Sequence, residues 1–324
     1  MLFTAYHGTI KGMEKLKIVF CFDENLVAQV QAAAASLLDS RGPGEHFEIH
    51  CVCTKAAENV QGPLGQVIKR RDPDSALVVH CMENPYENAY QVRDISAGTY
   101  LRLALPGLLP EVERILYMDA DILVRESLAP IWETAMEGMA IAAVKGAVNL
   151  SDKWEWNSDR PYWHLLSGMK GGYINAGVTL LNLAEIRKRG LAARWHELTG
   201  ERFYYQDQDI LNMTCQGAIA YLPPKYNRLA YLEEDGFGQF VTEGIYTREE
   251  VREAQQSPAI VHYAGDKPWK RYDTNLGSLW WDYVNAQSDL KDLFDEEKAR
   301  KNHGPTLAQR AARKVKKLFS REKL

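Results

Sequence analysis

Apolar and polar positions fall in blocks that predict alternating strands and helices. Leu16-Lys17-Ile18-Val19-Phe20-Cys21-Phe22 is a nearly continuous apolar run that stops at Asp23-Glu24-Asn25, the pattern of a buried strand. An alanine-rich stretch from Leu26 to Leu38 predicts a helix, His46 to Cys53 a second strand and Ala76 to His80 a third. Strand, helix, strand in this order predicts a parallel sheet with crossover helices. Ser96 is placed to cap a helix over Thr99 to Leu105 that Pro106 helps to end. Arg114 to Met118 predicts a short strand running straight into Asp119-Ala120-Asp121. Residues 140–144 and 177–183 predict further strands, and Arg187 to Leu198 and Asp207 to Gln216 predict helices. Pro223 and Pro224 open an irregular, aromatic-rich region, and Ala259 to Tyr263 predicts a last strand.

No repeat and no linker interrupts the chain before residue 290. The expected organisation is an irregular leader over 1–15, one α/β domain over 16–290, and a separate tail over 291–324. Charge sets the tail apart. Residues 300–324 carry nine Lys or Arg against the single acid Glu322, a charge of +8, so the rest of this −4 chain sums to −12. So acidic a body argues against nucleic acid as its partner, and the basic tail for contact with something anionic. Within the tail, Leu307, Ala311, Val315, Leu318 and Phe319 recur at helical spacing with basic residues between them. That is the pattern of an amphipathic helix lying on an anionic membrane surface. No window reaches the roughly 18 apolar residues that a membrane span needs. The five cysteines, Cys21, Cys51, Cys53, Cys81 and Cys215, show no CxxC spacing and are expected to be reduced thiols. The expected location is cytoplasmic, peripheral on the inner face of the membrane.

Four segments carry chemistry. In Asp119-Ala120-Asp121 two carboxylates two residues apart on extended backbone point to one side, where both can reach one hard cation such as Mn²⁺ or Mg²⁺. His262, at the end of the last strand, is a candidate third ligand; Gly265 and Lys267 behind it suit a phosphate. Tyr205-Gln206-Asp207-Gln208-Asp209-Ile210-Leu211-Asn212 groups acids and amides at a helix start, where they can complement the helix dipole or line a sugar pocket. Tyr173-Ile174-Asn175-Ala176-Gly177-Val178 is a small-residue entry into a strand, which lets a ligand approach the backbone.

In order, FDEN at 22–25, VRDISAGTYLRL at 92–103, ILYMDADILV at 115–124, INAGVTLLN at 174–182, YQDQDILN at 205–212 and HYAGDKPW at 262–269 resemble the family 8 glycosyltransferases. These are retaining enzymes that include bacterial lipopolysaccharide galactosyl- and glucosyltransferases. The resemblance runs from about Lys17 to about Trp281. It implies a GT-A nucleotide-sugar-binding fold, a mixed and mostly parallel sheet flanked by helices, and transfer of a galactose or glucose from a UDP-hexose. It implies that Asp23 and Asn25 contact the uridine and that Arg93 reaches the diphosphate or sugar. Asp119, Ala120 and Asp121 would form the metal motif, with Asp119, Asp121 and His262 as Mn²⁺ ligands. Gly265 and Lys267 would clamp the diphosphate, while Asn175, Asp207 and Gln208 would surround the donor sugar and the reacting carbon. Three departures stand out. Leu26 replaces a base-stacking aromatic residue, Lys145 replaces an acidic residue near the sugar, and the last motif is one residue short. The implied acceptor is a surface glycan or glycolipid, with residues 145–170 and 223–245, including Trp154, Trp156, Trp163, Tyr226 and Tyr231, as the candidate acceptor region. The competing expectations are a protein or soluble-polysaccharide acceptor, and a non-catalytic nucleotide-sugar-binding protein. A nucleotidyltransferase would want a glycine-rich loop after the first strand, which FDEN does not supply.

Overall fold

Among the residues described by the computed structural model (15–54, 57–91, 97–146, 163–166, 169, 171–232 and 234–302), ten strands form two sheets. They are β1 (Leu16–Phe22), β2 (Phe47–Cys53), β3 (Ala76–Cys81), β4 (Arg114–Met118), β5 (Ile122–Val124), β6 (Ile141–Lys145), β7 (Ile174–Asn182), β8 (Ile219–Tyr221), β9 (Arg228–Leu229) and β10 (Ile260–His262). Arg93, Ser96, Trp154, Trp156, the side chain of Trp163 and the amphipathic tail from residue 303 lie outside the described residues.

The larger sheet has the order β3-β2-β1-β4-β7-β6-β8. The strands β1 to β4 in it are mutually parallel, β7 runs against both β4 and β6, and β8 runs with β6. The smaller sheet has the order β5-β10-β9, with β10 antiparallel to β5 and parallel to β9. The sheet is thus mixed and mostly parallel, as expected.

Period-2 alternation divides β1 between two cores. Ile18, Phe20 and Phe22 face α1 (Val27–Asp39) and α2 (Ala57–Arg71); Val19 and Cys21 face Tyr100, Tyr117 and Trp195. Ala32 to Ala35 are fully buried, so α1 lies close against the sheet without bulky side chains to hold it off. The alanine run therefore serves packing as well as helix propensity.

Three local expectations need correction. Pro106 does not end a helix: it sits in the first turn of the short helix Leu105–Leu108, which follows a 3-10 segment over Ala97–Ala104. A first-turn proline sacrifices no intrahelical hydrogen bond, so it is tolerated there. The helix expected over Arg187 to Leu198 is two helices, Leu183–Lys188 and Leu191–Leu198, separated at Gly190 with φ +67°. The strand expected over 177–183 begins three residues earlier, at Ile174.

The early start of β7 has a side-chain cause. Asn212, on the helix Asp207–Thr214, accepts from Ile174 N at 2.7 Å and donates to Ile174 O at 3.0 Å. Gln208, one turn earlier, accepts from Ala176 N at 3.1 Å. Two amides at i and i+4 therefore act as an extra strand edge, fixing the helix against the segment that carries Asn175. Replacing Asn212 by Leu strands both polar groups of Ile174 in the core. At about 1–3 kcal/mol for each of the two buried groups left unpaired, a loss of about 2–6 kcal/mol is expected in urea denaturation. A loss below about 0.5 kcal/mol would show that the clamp is dispensable.

Candidate active site

The linker Asp119-Ala120-Asp121 is the place where the chain leaves one sheet for the other, β4 ending before it and β5 beginning after it. Two backbone bonds pin this crossing: Asp119 N donates to Gly177 O and Tyr263 N donates to Asp121 O, both at 2.8 Å. The antiparallel register sets His262 opposite Ile122, and hence beside Asp121. As a result Asp119, Asp121 and His262 each bring one ligand atom within 4.8 Å of the others. His262 Nε2 stands 3.5 Å from Asp119 Oδ2 and 3.3 Å from Asp121 Oδ1. Ala120, between the two acids, is buried and supplies spacing only.

The tautomer of His262 follows from a chain of forced assignments. Gly177 N can only donate, and it donates to Asn175 Oδ1 at 3.0 Å. Asn175 Oδ1 also accepts from Asn227 Nδ2 at 2.8 Å, which turns Asn227 Oδ1 towards His262 Nδ1, again at 2.8 Å. Nδ1 therefore carries a hydrogen, which leaves Nε2 as the nitrogen that faces the two carboxylates. This is the arrangement of a metal-ligating imidazole held by an outer hydrogen bond.

Asp119 is oriented as tightly. Its Oδ1 accepts from Tyr117 Oη at 2.5 Å and from Arg102 Nη2 at 2.9 Å, which leaves Oδ2 as the oxygen that faces His262. Arg102 is buried beneath the site, with Nη1 donating to Ala176 O at 2.7 Å and Nε 2.8 Å from Asp207 Oδ2. Its guanidinium carbon lies 3.8 Å from the centre of the Tyr117 ring. Burial disfavours the charged guanidinium, but Asp207, Tyr117 and Asp119 together outweigh it and raise the Arg102 pKa. Burial pushes Asp207 up to about 6, against the opposing pull of Arg102 and of Thr99 Oγ1, which donates to it at 2.8 Å. For Asp121, burial also acts upwards, but Lys267 and His262 overcome it and hold its carboxyl well below the usual range.

The donor set fits a divalent cation. Two hard carboxylate oxygens and one imidazole nitrogen suit an ion of the Mg²⁺ or Mn²⁺ type. The Lys267 ammonium already lies against Asp121 Oδ2, so positive charge is accommodated at that oxygen. Gly177 is required by the crowding: a Cβ there would come within 2.2 Å of the His262 ring and 2.8 Å of Asp119 Oδ2. A second acidic group, His46, Asp72 and Asp74, has similar spacing, but Asp72 is already taken up by His46 and Ser75.

Of the remaining expected residues, those that are described lie on neighbouring elements. Gly265, with φ +97°, turns the chain after β10 and returns Lys267 to Asp121, with its ammonium donating also to Tyr263 O at 2.8 Å. Asp23 and Asn25 follow the end of β1, the parallel neighbour of β4, so they occupy the same sheet edge as the acidic linker. Gln208 is held between Ala176 N and Tyr173 Oη. Asp209 is fully buried, accepting from Tyr173 Oη at 2.5 Å and Tyr205 N at 2.9 Å, which makes it a structural acid. Gln206 adopts φ +51°, a strained value for a side-chain-bearing residue, immediately before Asp207. Arg102, Tyr117 and Asn227 were not picked out by sequence. Arg102 could have been, because an arginine inside the apolar run Tyr100-Leu101-Arg102-Leu103-Ala104-Leu105 must find buried partners. Asn227 offers no such signal, since its partners lie 35 and 52 residues away.

The sequence profile described as Glycosyl transferase family 8 matches residues 17–273. The chain is 24% identical over 265 residues to General stress protein A of Bacillus subtilis, covering 79% of this chain and 88% of that protein. It is 24% identical over 212 residues to Lipopolysaccharide 1,2-glucosyltransferase of Escherichia coli, covering 61% of this chain but only 56% of that enzyme. Among solved structures, galactosyltransferase LgtC in complex with donor and acceptor sugar analogs superposes with a TM-score of 0.68 at 24% identity, over 84% of this chain and 96% of that one. The likeness identifies the fold as the GT-A fold of glycosyltransferases. With the profile spanning most of its length, this chain belongs to glycosyltransferase family 8.

Proposed function

We propose that this protein is a retaining hexosyltransferase that uses a UDP-sugar and Mn²⁺ to extend a surface glycan or glycolipid. The observation that carries the reading is the trio Asp119, Asp121 and His262, with its imidazole tautomer fixed by Asn227. A bound divalent ion would neutralise the charge that develops on a departing nucleoside diphosphate. Lys267 adds a point charge on the same side, and the Gly265 turn lets backbone approach the phosphates. Asp23 and Asn25, at the end of β1, are the groups proposed for the uridine, and Arg93 for the diphosphate or sugar.

The acids of the helix Asp207–Thr214 bear on stereochemistry. Asp207 is engaged by Thr99 and Arg102, and Asp209 by Tyr173 and Tyr205. Neither is presented as a nucleophile, and Gln208 is a poor one. This supports attack by the acceptor on the leaving-group face, with a diphosphate oxygen taking the acceptor's proton. In that scheme Asn175, Asp207 and Gln208 position the sugar. The lipopolysaccharide glucosyltransferase relationship and the basic amphipathic pattern beyond residue 303 support an acceptor carried on an anionic membrane surface. None of the helices among the described residues is long and apolar enough to cross a membrane.

UDP release from a panel of UDP-hexoses should occur with one donor in the presence of Mn²⁺. It should fall at least about 100-fold with chelator or with Asp121→Asn, in line with the cost of removing one charge-stabilising group. Release that is indifferent to chelation would overturn the metal assignment. Asn227→Leu removes the acceptor for His262 Nδ1–H without touching a ligand. It should raise the Mn²⁺ concentration for half-maximal rate about 10–100-fold, the usual effect of losing an outer-sphere partner, with the rate at saturating metal recovered in large part. An unchanged metal requirement would contradict the tautomer argument.

A further inference from the structure

On the same edge of the sheet as the metal trio, with β7 between β4 and β6, the carboxyl end of β6 opens on a cleft of about 360 Å³, lined by Lys145, Tyr221, Pro223, Ile245, Tyr246 and Glu250. Its size is that of a small-ligand site. Lys145 is the last residue of β6, and the β6–β7 register shifts between Ala143 and Lys145. A bulge of this kind re-aims a side chain at the end of a strand. The Lys145 backbone N–H donates to Tyr246 Oη at 2.7 Å, and Tyr246 Oη donates in turn to Leu222 O at 3.3 Å, so the bulge is tied to the opposite wall of the cleft.

The ammonium of Lys145 lies half-buried, donating to Ile245 O at 3.1 Å, with the Tyr221 and Tyr246 ring centres 4.8 and 5.6 Å away. Among the described residues no carboxylate forms an ion pair with it. Glu250 lines the same cleft, but its Oε2 is drawn to Thr247 N at 2.8 Å and Thr247 Oγ1 at 2.7 Å in the capping box of the helix Arg248–Gln256. An ammonium has three hydrogens to donate, and one carbonyl uses one of them. A half-buried cation with donors to spare, above two tyrosine faces, is built for an anion attached to a ring. The 45% exposed Tyr221 supplies the platform on which a sugar ring can stack.

The cleft also adjoins the chemistry. Lys145 pairs with Ile174 across β6 and β7, and Gly146 lies so close that a Cβ on it would come within 3.2 Å of Asn175 N. Asn175 is the first member of the hydrogen-bond chain through Asn227 to His262. We infer that this cleft is an acceptor subsite in which Lys145 selects a sugar carrying a carboxylate or phosphate. The inference rests on the glycosyltransferase reading and names the chemical class of its acceptor.

Calorimetric titration of the full chain with methyl glucuronide, glucose 6-phosphate and neutral methyl glucoside tests it without requiring turnover. At least one acidic sugar should bind the wild type about tenfold or more tightly than the neutral one, and the comparison of the two acids tells carboxylate from phosphate. In Lys145→Gln the advantage should shrink to about twofold or less, while Lys145→Arg, which keeps the charge, should retain most of it. Inorganic phosphate and acetate, without a ring, should bind about tenfold more weakly than the corresponding acidic sugar. Equal binding of acidic and neutral sugars by the wild type, or an acidic preference that survives in Lys145→Gln, would overturn the inference. Mn²⁺-dependent UDP binding measured on the same samples reports separately on the donor reading, so the two can fail independently.

Discussion

Arg102 is the buried charge on which the rest of the site depends. Its guanidinium sits below the sheet edge with Asp119 on one side, Asp207 on another and the Tyr117 ring against its face. Asp119 begins the crossing between the two sheets, and Asp207 begins the helix that clamps β7. One cation therefore ties together the metal motif and the segment proposed to surround the sugar. Taking a guanidinium out of water is costly, and only well-placed partners repay it; removing one member of such a set typically costs about 3–5 kcal/mol. The same arrangement divides the labour of Asp119 between its oxygens, Oδ1 held by the protein and Oδ2 turned to His262.

The second layer of order is a line of amides and backbone groups running from Gly177 through Asn175 and Asn227 to His262. Its direction is imposed by a single backbone N–H, which has no choice but to donate. Small residues make room for it: a side chain at Gly177 would occupy the space of the imidazole. Backbone geometry, amide orientation and imidazole orientation are consequently one linked property, and Nε2 emerges where the two carboxylates converge.

Much of this was legible in the chain. The apolar runs of β1 and β4 read clearly because strands buried on both faces carry a polar residue only at or next to their starts, Lys17 and Arg114. The acidic pair and His262 were legible because carboxylates two apart and a histidine at a strand end are rare enough in combination to point to one ion. The less legible parts depend on tertiary contacts. The three-residue β5 and two-residue β9 are too short to show a period, and each exists because β10 lies beside it. The break at Gly190 is hidden in a stretch whose flanks both have helical spacing. Asn227 acquires its role only when residues far apart in sequence meet, and Tyr117 reads as an ordinary strand aromatic until Asp119 is seen beside its hydroxyl.

The central claim is that Asp119, Asp121 and His262 form one divalent-cation site with His262 Nε2 as a ligand. Electron paramagnetic resonance of Mn²⁺ titrated into the protein, with and without UDP, tests it most directly. One tight Mn²⁺ per chain is predicted, bound more tightly when UDP is present, with resolved nitrogen coupling that disappears in His262→Ala. Tight binding that shows no nitrogen coupling, or that is identical in His262→Ala, would contradict the account.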